Sequence, residues 1–144
     1  MLGMETQLRD YETFVRTLRN FDWVKDTRAS GAQDIDCCIE RHGSVLILEG
    51  KPRQGPQVVL PFGQWLTLKA LAAQPDVTVW LVAEDQDAKT DEVPHYSVLE
   101  ITDYVKPHLV DRTYWTVTFY TDGGFEHCNL AGLQAMVDGW YEEQ

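Results

Sequence analysis

The chain has 144 residues, of which 44% are apolar and 11% aromatic, and a formal net charge of −11 at pH 7. This amount of apolar material predicts one compact domain, 1–144, with a hydrophobic core. No apolar run approaches the ~20 residues that span a bilayer, and Met1–Asp10 lacks the basic start and apolar centre of a secretory signal. The composition excludes a membrane-spanning helix and predicts a soluble, cytoplasmic protein.

The negative charge is unevenly distributed along the chain. Residues 1–70 carry nine Lys and Arg against nine Asp and Glu, whereas residues 71–144 carry three against fourteen. The acidic second half is either a solvated surface that keeps the protein soluble or a face that repels DNA and restricts docking to the remainder of the molecule.

The cysteines and histidines do not indicate a metal site or a disulfide framework. The cysteines are odd in number and two are adjacent, which favours a reducing compartment. Adjacent residues of a regular strand point to opposite faces, so Cys37 and Cys38 are poorly placed to share a zinc ion. The histidines are scattered and are interpreted as surface or hairpin residues: His42, His95, His108 and His127.

The first part of the chain predicts a helix, a possible strand and a β-hairpin. Apolar residues at helical spacing predict an amphipathic helix from Met4 to about Asn20, and Phe21–Lys25 is a possible strand. After a loop over Asp26–Gln33, two strand-like runs follow. They are Asp34–Arg41 and Ser44–Lys51, joined by His42-Gly43 as a two-residue turn.

A loop, a helix and a buried strand are predicted next. Pro52–Pro56 is a loop, Val58–Leu60 is short, and Pro61 suits the first turn of a helix ending near Ala73. Val77–Ala83 then has the apolar run of a buried strand.

The acidic segment Glu84–Pro94 is predicted to be an exposed loop, followed by a strand over Tyr96–Ile101. Tyr114–Tyr120 and Phe125–Cys128, separated by Asp122-Gly123-Gly124, predict a second hairpin. Asn129 can cap a final helix. Its apolar stripe, interpreted as core, consists of Leu130, Leu133, Met136, Val137 and Trp140.

Three ionisable residues converge on the first hairpin. Counting outward from the His42-Gly43 turn places Asp36 opposite Glu49, with Lys51 two residues further along the face of Glu49. Two carboxylates this close repel each other and need a cation between them. A Mg²⁺-type ion, with the carbonyl of Gly50 as a further ligand, would meet that need.

Lys51 then has a role that the carboxylates cannot fill. Cleavage of a phosphodiester needs a water or hydroxide nucleophile and stabilisation of added negative charge, and an ammonium can orient that water or neutralise that charge. The alternative interpretation is an ordinary salt bridge among Asp36, Glu49 and Lys51. Asp34, on the same face, is a second-choice ligand or a partner for Lys51.

These residues resemble a known family. Asp36, thirteen positions before a Glu49-Gly50-Lys51 tripeptide at the end of an apolar strand, resembles the motif of the restriction-endonuclease-like PD-(D/E)XK nuclease superfamily. The chain departs from the full motif by having Gln33 before Asp34. The resemblance implies an α/β fold with an αβββαβ core, a mixed central sheet and flanking helices over about residues 1–85. The predicted C-terminal hairpin and helix, about 95–144, would extend it.

The resemblance also implies an activity and further site residues. Members hydrolyse DNA with Mg²⁺ or Mn²⁺, here held by Asp36 and Glu49. Many use a Gln or Lys from the helix after the lysine, a position matched by Gln64, and often a first-helix glutamate as a further metal ligand, matched by Glu12 or Glu5. A dimer or larger complex fits the small size. The rival hypothesis is a nuclease-like domain that no longer cleaves and acts as a binding or inhibitory module.

Overall fold

The computed structural model describes residues 35–87 and 93–144 of the chain. Several predictions therefore fall outside the described residues. They are the helix Met4–Asn20, the possible strand Phe21–Lys25, and the candidate ligands Glu5, Glu12 and Asp34.

The described part of the chain is a mixed α/β structure with two sheets and two helices. In chain order its elements are β1 (Cys37–Arg41), β2 (Ser44–Arg53), β3 (Gln57–Pro61), α1 (Phe62–Ala72), β4 (Val77–Asp85), β5 (Tyr96–Glu100), β6 (Leu109–Asp111), β7 (Thr116–Tyr120), β8 (Glu126–Cys128) and α2 (Leu130–Glu143). The larger sheet has the order β1-β2-β4-β5-β8, and the smaller one has the order β3-β7-β6.

The first hairpin has the predicted register. Arg41 pairs with Ser44 and Ile39 with Leu46 in the antiparallel β1–β2 ladder. His42 and Gly43 have φ angles of 53° and 87°, and positive φ at both central residues is the requirement of the tight turn that matches the twist of a hairpin. The two-residue loop thus fixes which residues of β1 and β2 face each other.

β2 is longer than the sequence pattern indicates. It pairs in parallel with β4 as far as Arg53 and Asp85, so the predicted loop at Pro52–Pro56 begins two residues late. The proline is tolerated because β1 begins at Cys37, so that among the described strands none pairs with the other edge of β2 at this end. The parallel pairing also requires a crossover, which β3 and α1 provide between β2 and β4.

The predicted second hairpin is wrong, because β7 and β8 belong to different sheets. β7 pairs with β3 on one edge and with β6 on the other, so neither edge is left for β8. Phe125 enters the core in contact with Phe119, and β8 then covers the free edge of β5. The C-terminal segment therefore supplies β5 and β8 to the main sheet instead of forming a separate hairpin.

The larger sheet has a hydrophobic cluster on each face, as the alternation of side chains in its strands dictates. One face packs against α1 and the smaller sheet, and the other packs against α2. The first cluster includes Ile47, Leu60, Trp65, Leu68, Val79, Leu81, Val117 and Phe119. The second includes Leu46, Trp80, Val82, Val98 and Trp140, with Leu133, Met136 and Val137 packed against it.

The final helix forms as predicted. The side chain of Asn129 accepts a hydrogen bond of 2.8 Å from the backbone N–H of Gly132, which caps α2. Within the described ranges, neither helix is both long and apolar enough to cross a membrane.

Candidate functional site

Glu49 is the centre of a polar cluster at the end of the apolar part of β2. Its position on an inner strand of the larger sheet leaves the residue only 2% exposed, although a glycine and a lysine follow it in sequence. Lys51, two residues further on, faces the same side of the strand, and its Nζ lies 3.4 Å from Glu49 Oε1. The tripeptide thus places a buried carboxylate beside a partly buried ammonium.

Gln64 reaches the same carboxylate from α1. The crossover returns the first turn of this helix to the face of the sheet that carries Glu49, and Gln64 Nε2 donates a hydrogen bond to Glu49 Oε1. The amide oxygen of Gln64, Oε1, is buried and has no hydrogen-bond partner among residues 35–87 and 93–144. A buried acceptor of this kind is costly unless something supplies a donor or a cation.

Asp36 lies just before β1, at the point where the β1–β2 ladder ends. Its Oδ2 accepts a hydrogen bond of 2.9 Å from the backbone N–H of Gly50, so the side chain takes the place of a strand carbonyl. Continuing the observed register by one pair places Asp36 opposite Glu49. The interaction of their charges is strong enough to perturb the titration of Glu49.

The pKa of Glu49 is raised above 4.5, the ordinary value of its carboxyl group. Burial is the largest cause, since it disfavours the charged form, and the negative charge of Asp36 adds to it. The charge of Lys51 and the hydrogen bonds from Lys51 and Gln64 act in the opposite direction without cancelling the shift. The site thus brings two carboxyl groups and one ammonium together, in surroundings that disfavour the charged form of Glu49.

These groups have the chemistry of a site for a hard divalent cation. Two carboxylates and the unpartnered Gln64 Oε1 are oxygen donors, which Mg²⁺ and Mn²⁺ prefer. Among residues 35–87 and 93–144, no three side chains of the His, Cys, Asp and Glu types converge closely enough to hold a metal by themselves. If only the described residues hold the ion, then water, Gln64 or a backbone carbonyl such as that of Gly50 would have to complete its coordination.

An ion pair that sequence analysis missed lies at the same end of β2. Arg53 Nη2 is 3.1 Å from Asp85 Oδ2, and the Nε of Arg53 is buried with no hydrogen-bond partner in the part of the chain that the structure describes. Arg53 was assigned to a loop. The sequence contains a pattern that predicts Arg53 in β2, because Glu49, Lys51 and Arg53 alternate at the spacing of one strand face.

A cavity of about 400 Å³ adjoins the site at the carboxyl ends of the parallel strands β2 and β4. Such ends are where open α/β sheets commonly bind ligands. Asp36, Gly50 and Lys51 are among its lining residues, whereas Glu49 is not, because the cavity lies mainly on the sheet face that packs against α2, with Leu48, Val82 and Leu133 in its wall. The other polar residues of its wall, none of them anticipated, are Glu84, Gln86 and Tyr96.

The interpretation of all four histidines as surface or hairpin residues is wrong for His95. This residue is 4% exposed, because its ring packs on Tyr96 and its Nδ1 lies 2.8 Å from the carbonyl oxygen of Val93. His42 is in the hairpin turn as predicted.

No protein-family model matches this sequence, and no curated protein matches it.

Proposed function

We propose that this protein is a metal-dependent nuclease that hydrolyses phosphodiester bonds of DNA. The observation that carries the proposal is the convergence of Glu49, Lys51 and Gln64, with Asp36 beside them, at the carboxyl end of a parallel strand. The resemblance of the Asp36 and Glu49-Gly50-Lys51 pattern to the PD-(D/E)XK superfamily supplies the choice of DNA as substrate.

Each residue has a role that follows from its contacts. Asp36 and Glu49 would hold Mg²⁺ or Mn²⁺, and the excess negative charge of the pair favours a dication. The ion, when bound, supplies Lewis acidity at the phosphoryl group and a more acidic water. Lys51 orients the attacking water and neutralises developing charge with its Nζ. Gln64 keeps the Glu49 carboxylate in place through its Nε2 and offers Oε1 to the site.

The test is a cleavage assay on duplex, single-stranded and branched DNA, with Mg²⁺ or Mn²⁺ and with EDTA. Wild type is expected to cleave at least one substrate with metal and none with EDTA. Glu49→Gln should abolish cleavage, because it keeps the shape of the side chain but removes a charge that the cation offsets. Glu100→Gln is the matched control, since Glu100 is exposed and pairs with Trp80, five residues before the carboxyl end of β4.

Calorimetric titration of Mn²⁺ separates the metal site from the chemistry. Glu49→Gln should bind Mn²⁺ more weakly than wild type and Glu100→Gln equally well. Equal affinities of wild type and Glu49→Gln would remove Glu49 from the site. Cleavage by wild type that persists in EDTA would overturn the proposal of metal dependence.

A second candidate function is a nuclease-like domain that binds a protein or DNA without cleaving it. The contact that favours it is the Glu49–Lys51 pair, because an ammonium 3.4 Å away already compensates part of the charge of the carboxylate. The acidic second half of the chain suits a protein partner better than DNA. Intact DNA in every condition of the cleavage assay would favour this candidate.

A further inference from the structure

The turn between β6 and β7 exposes two aromatic side chains. We call residues Arg112, Thr113, Tyr114 and Trp115 the aromatic turn. Tyr114 is 78% exposed and Trp115 is 61% exposed, which is unusual for side chains of this size. Burial does not hold the turn in place. Asp111 Oδ1 does so, accepting hydrogen bonds from the backbone N–H groups of Thr113 and Tyr114 at 2.9 and 3.2 Å.

Trp115 is held in a backbone conformation that a bulky residue seldom adopts. Its φ is 53°, and such strain is retained where the surrounding structure enforces it, often at functional positions. The enforcing contact is a 2.8 Å hydrogen bond from the Phe62 N–H to the carbonyl oxygen of Trp115. The two rings also contact each other, with centroids 6.0 Å apart.

This contact connects the aromatic turn to the candidate active site. Phe62 is the first residue of α1, and Gln64, which bonds to Glu49, lies in the same helical turn. The step of two residues from Phe62 to Gln64 corresponds to a rise of about 3 Å along the helix axis. A molecule that contacts Trp115 is therefore close to the end of α1 that contacts Glu49.

The charge of the aromatic turn differs from that of the acidic half around it. Residues 71–144 contain three Lys and Arg, and two of them, Lys106 and Arg112, lie within ten residues of Trp115. The nearest carboxylate in sequence, Asp111, is engaged by two backbone N–H groups. Aromatic residues that follow an exposed arginine in sequence match a nucleotide, whose base stacks on a ring and whose phosphate attracts a cation.

We propose that the aromatic turn is a stacking platform for an unpaired nucleotide of the DNA substrate, an inference that rests on the proposed nuclease function. Bases within a duplex are already stacked on each other and present no free ring face, whereas single-stranded or branched DNA does. The platform thereby selects DNA with unpaired segments for cleavage at the Glu49 site.

The test measures binding of fluorescently labelled single-stranded and duplex DNA by anisotropy, in EDTA so that metal-dependent cleavage does not interfere. Trp115→Gly removes the ring and suits the positive φ, so it preserves the turn. It should weaken single-strand binding about tenfold, or ~1.4 kcal/mol, which is the order expected for the loss of one stacked base. Trp115→Phe should retain most of the affinity. Duplex binding should be the same for all variants.

Tyr104→Ala is the matched control, because Tyr104 is 94% exposed but lies beside Ala72 and Ala73 at the other end of α1. It should bind single strands like wild type. Equal single-strand affinity of Trp115→Gly and wild type would overturn the platform. An equal loss of single-strand affinity in Tyr104→Ala would overturn the assignment of the platform to the aromatic turn.

Different outcomes would overturn the stacking platform and the proposed nuclease activity. Metal-dependent cleavage of single-stranded DNA at the wild-type rate by Trp115→Gly would overturn the platform and leave the nuclease intact. Single-strand binding that depends on Trp115, with no cleavage in Mg²⁺ or Mn²⁺, would support the platform and overturn the nuclease. Tighter binding of an RNA of the same length would overturn the assignment of the platform to DNA.

Discussion

The carboxyl group of Glu49 is buried, and its raised pKa makes the stability of the folded protein depend on pH. Between the ordinary value of 4.5 and the raised value, the folded chain holds a proton that the unfolded chain has lost. The free energy of unfolding of the metal-free protein therefore falls as the pH rises through that interval. Above it, the folded state contains an ionised carboxylate that its surroundings disfavour.

We therefore expect Glu49→Gln to be more stable than wild type in EDTA at a pH above the raised pKa. The amide is neutral at every pH, and its oxygen can still accept from Gln64. Urea denaturation over a series of pH values measures the difference, which should disappear below pH 4.5. A difference that stays constant across the series would contradict this explanation.

Lys51 is expected to serve the reaction and not the metal, because an ammonium cannot ligate a cation. Lys51→Met should keep Mn²⁺ binding, or tighten it by removing a neighbouring positive charge, and should reduce cleavage at least about a hundredfold. Single-turnover cleavage at saturating Mn²⁺ is the measurement. Near-wild-type cleavage by this variant would reduce Lys51 to a salt-bridge partner and reject the proposed mechanism.

The helix α2 depends on its capping residue. Asn129→Ala removes the acceptor for the N–H of Gly132 and should lower the free energy of unfolding by about 1 kcal/mol, whereas Asn129→Asp keeps an acceptor and should lower it less. Chemical denaturation compares the two variants. Equal losses would mean that the cap contributes nothing beyond the side chain's other contacts.

The two sheets share one hydrophobic cluster, so we expect them to unfold together. Leu60 of β3 is fully buried in the cluster that also contains Val79 and Leu81 of the larger sheet. Leu60→Ala should lower the free energy of unfolding by about 2–5 kcal/mol. Leu66→Ala, at a residue that is 50% exposed, is the control and should change it by less than about 1 kcal/mol.

Denaturation followed by far-ultraviolet circular dichroism and by tryptophan fluorescence tests the cooperativity. Coincident transitions in both variants are expected, since β3 and β7 bury side chains in the same cluster as the larger sheet. Separate transitions would show that β3, β6 and β7 unfold independently.

Local patterns predicted most of the described elements, β6 excepted, and the pairing of the first hairpin. The continuous apolar run Val45–Leu48 indicated β2, and the loop His42-Gly43 fixed the register, because a two-residue turn leaves one way to pair its strands. This is why Asp36, Glu49 and Lys51 could be assigned to one patch from the sequence. Asn129 likewise identified the start of α2, because capping depends on neighbours within one turn.

The tertiary structure alone decided the contacts between residues distant in sequence. The turn residues at Asp122–Gly124 predicted a hairpin, but both edges of β7 were already occupied, and edge occupancy depends on strands far away in the chain. For the same reason the contact of Trp115 with Phe62 was not predictable. Such contacts form because the chain must bury both faces of its larger sheet and pair its strand edges, and no local propensity specifies how that is achieved.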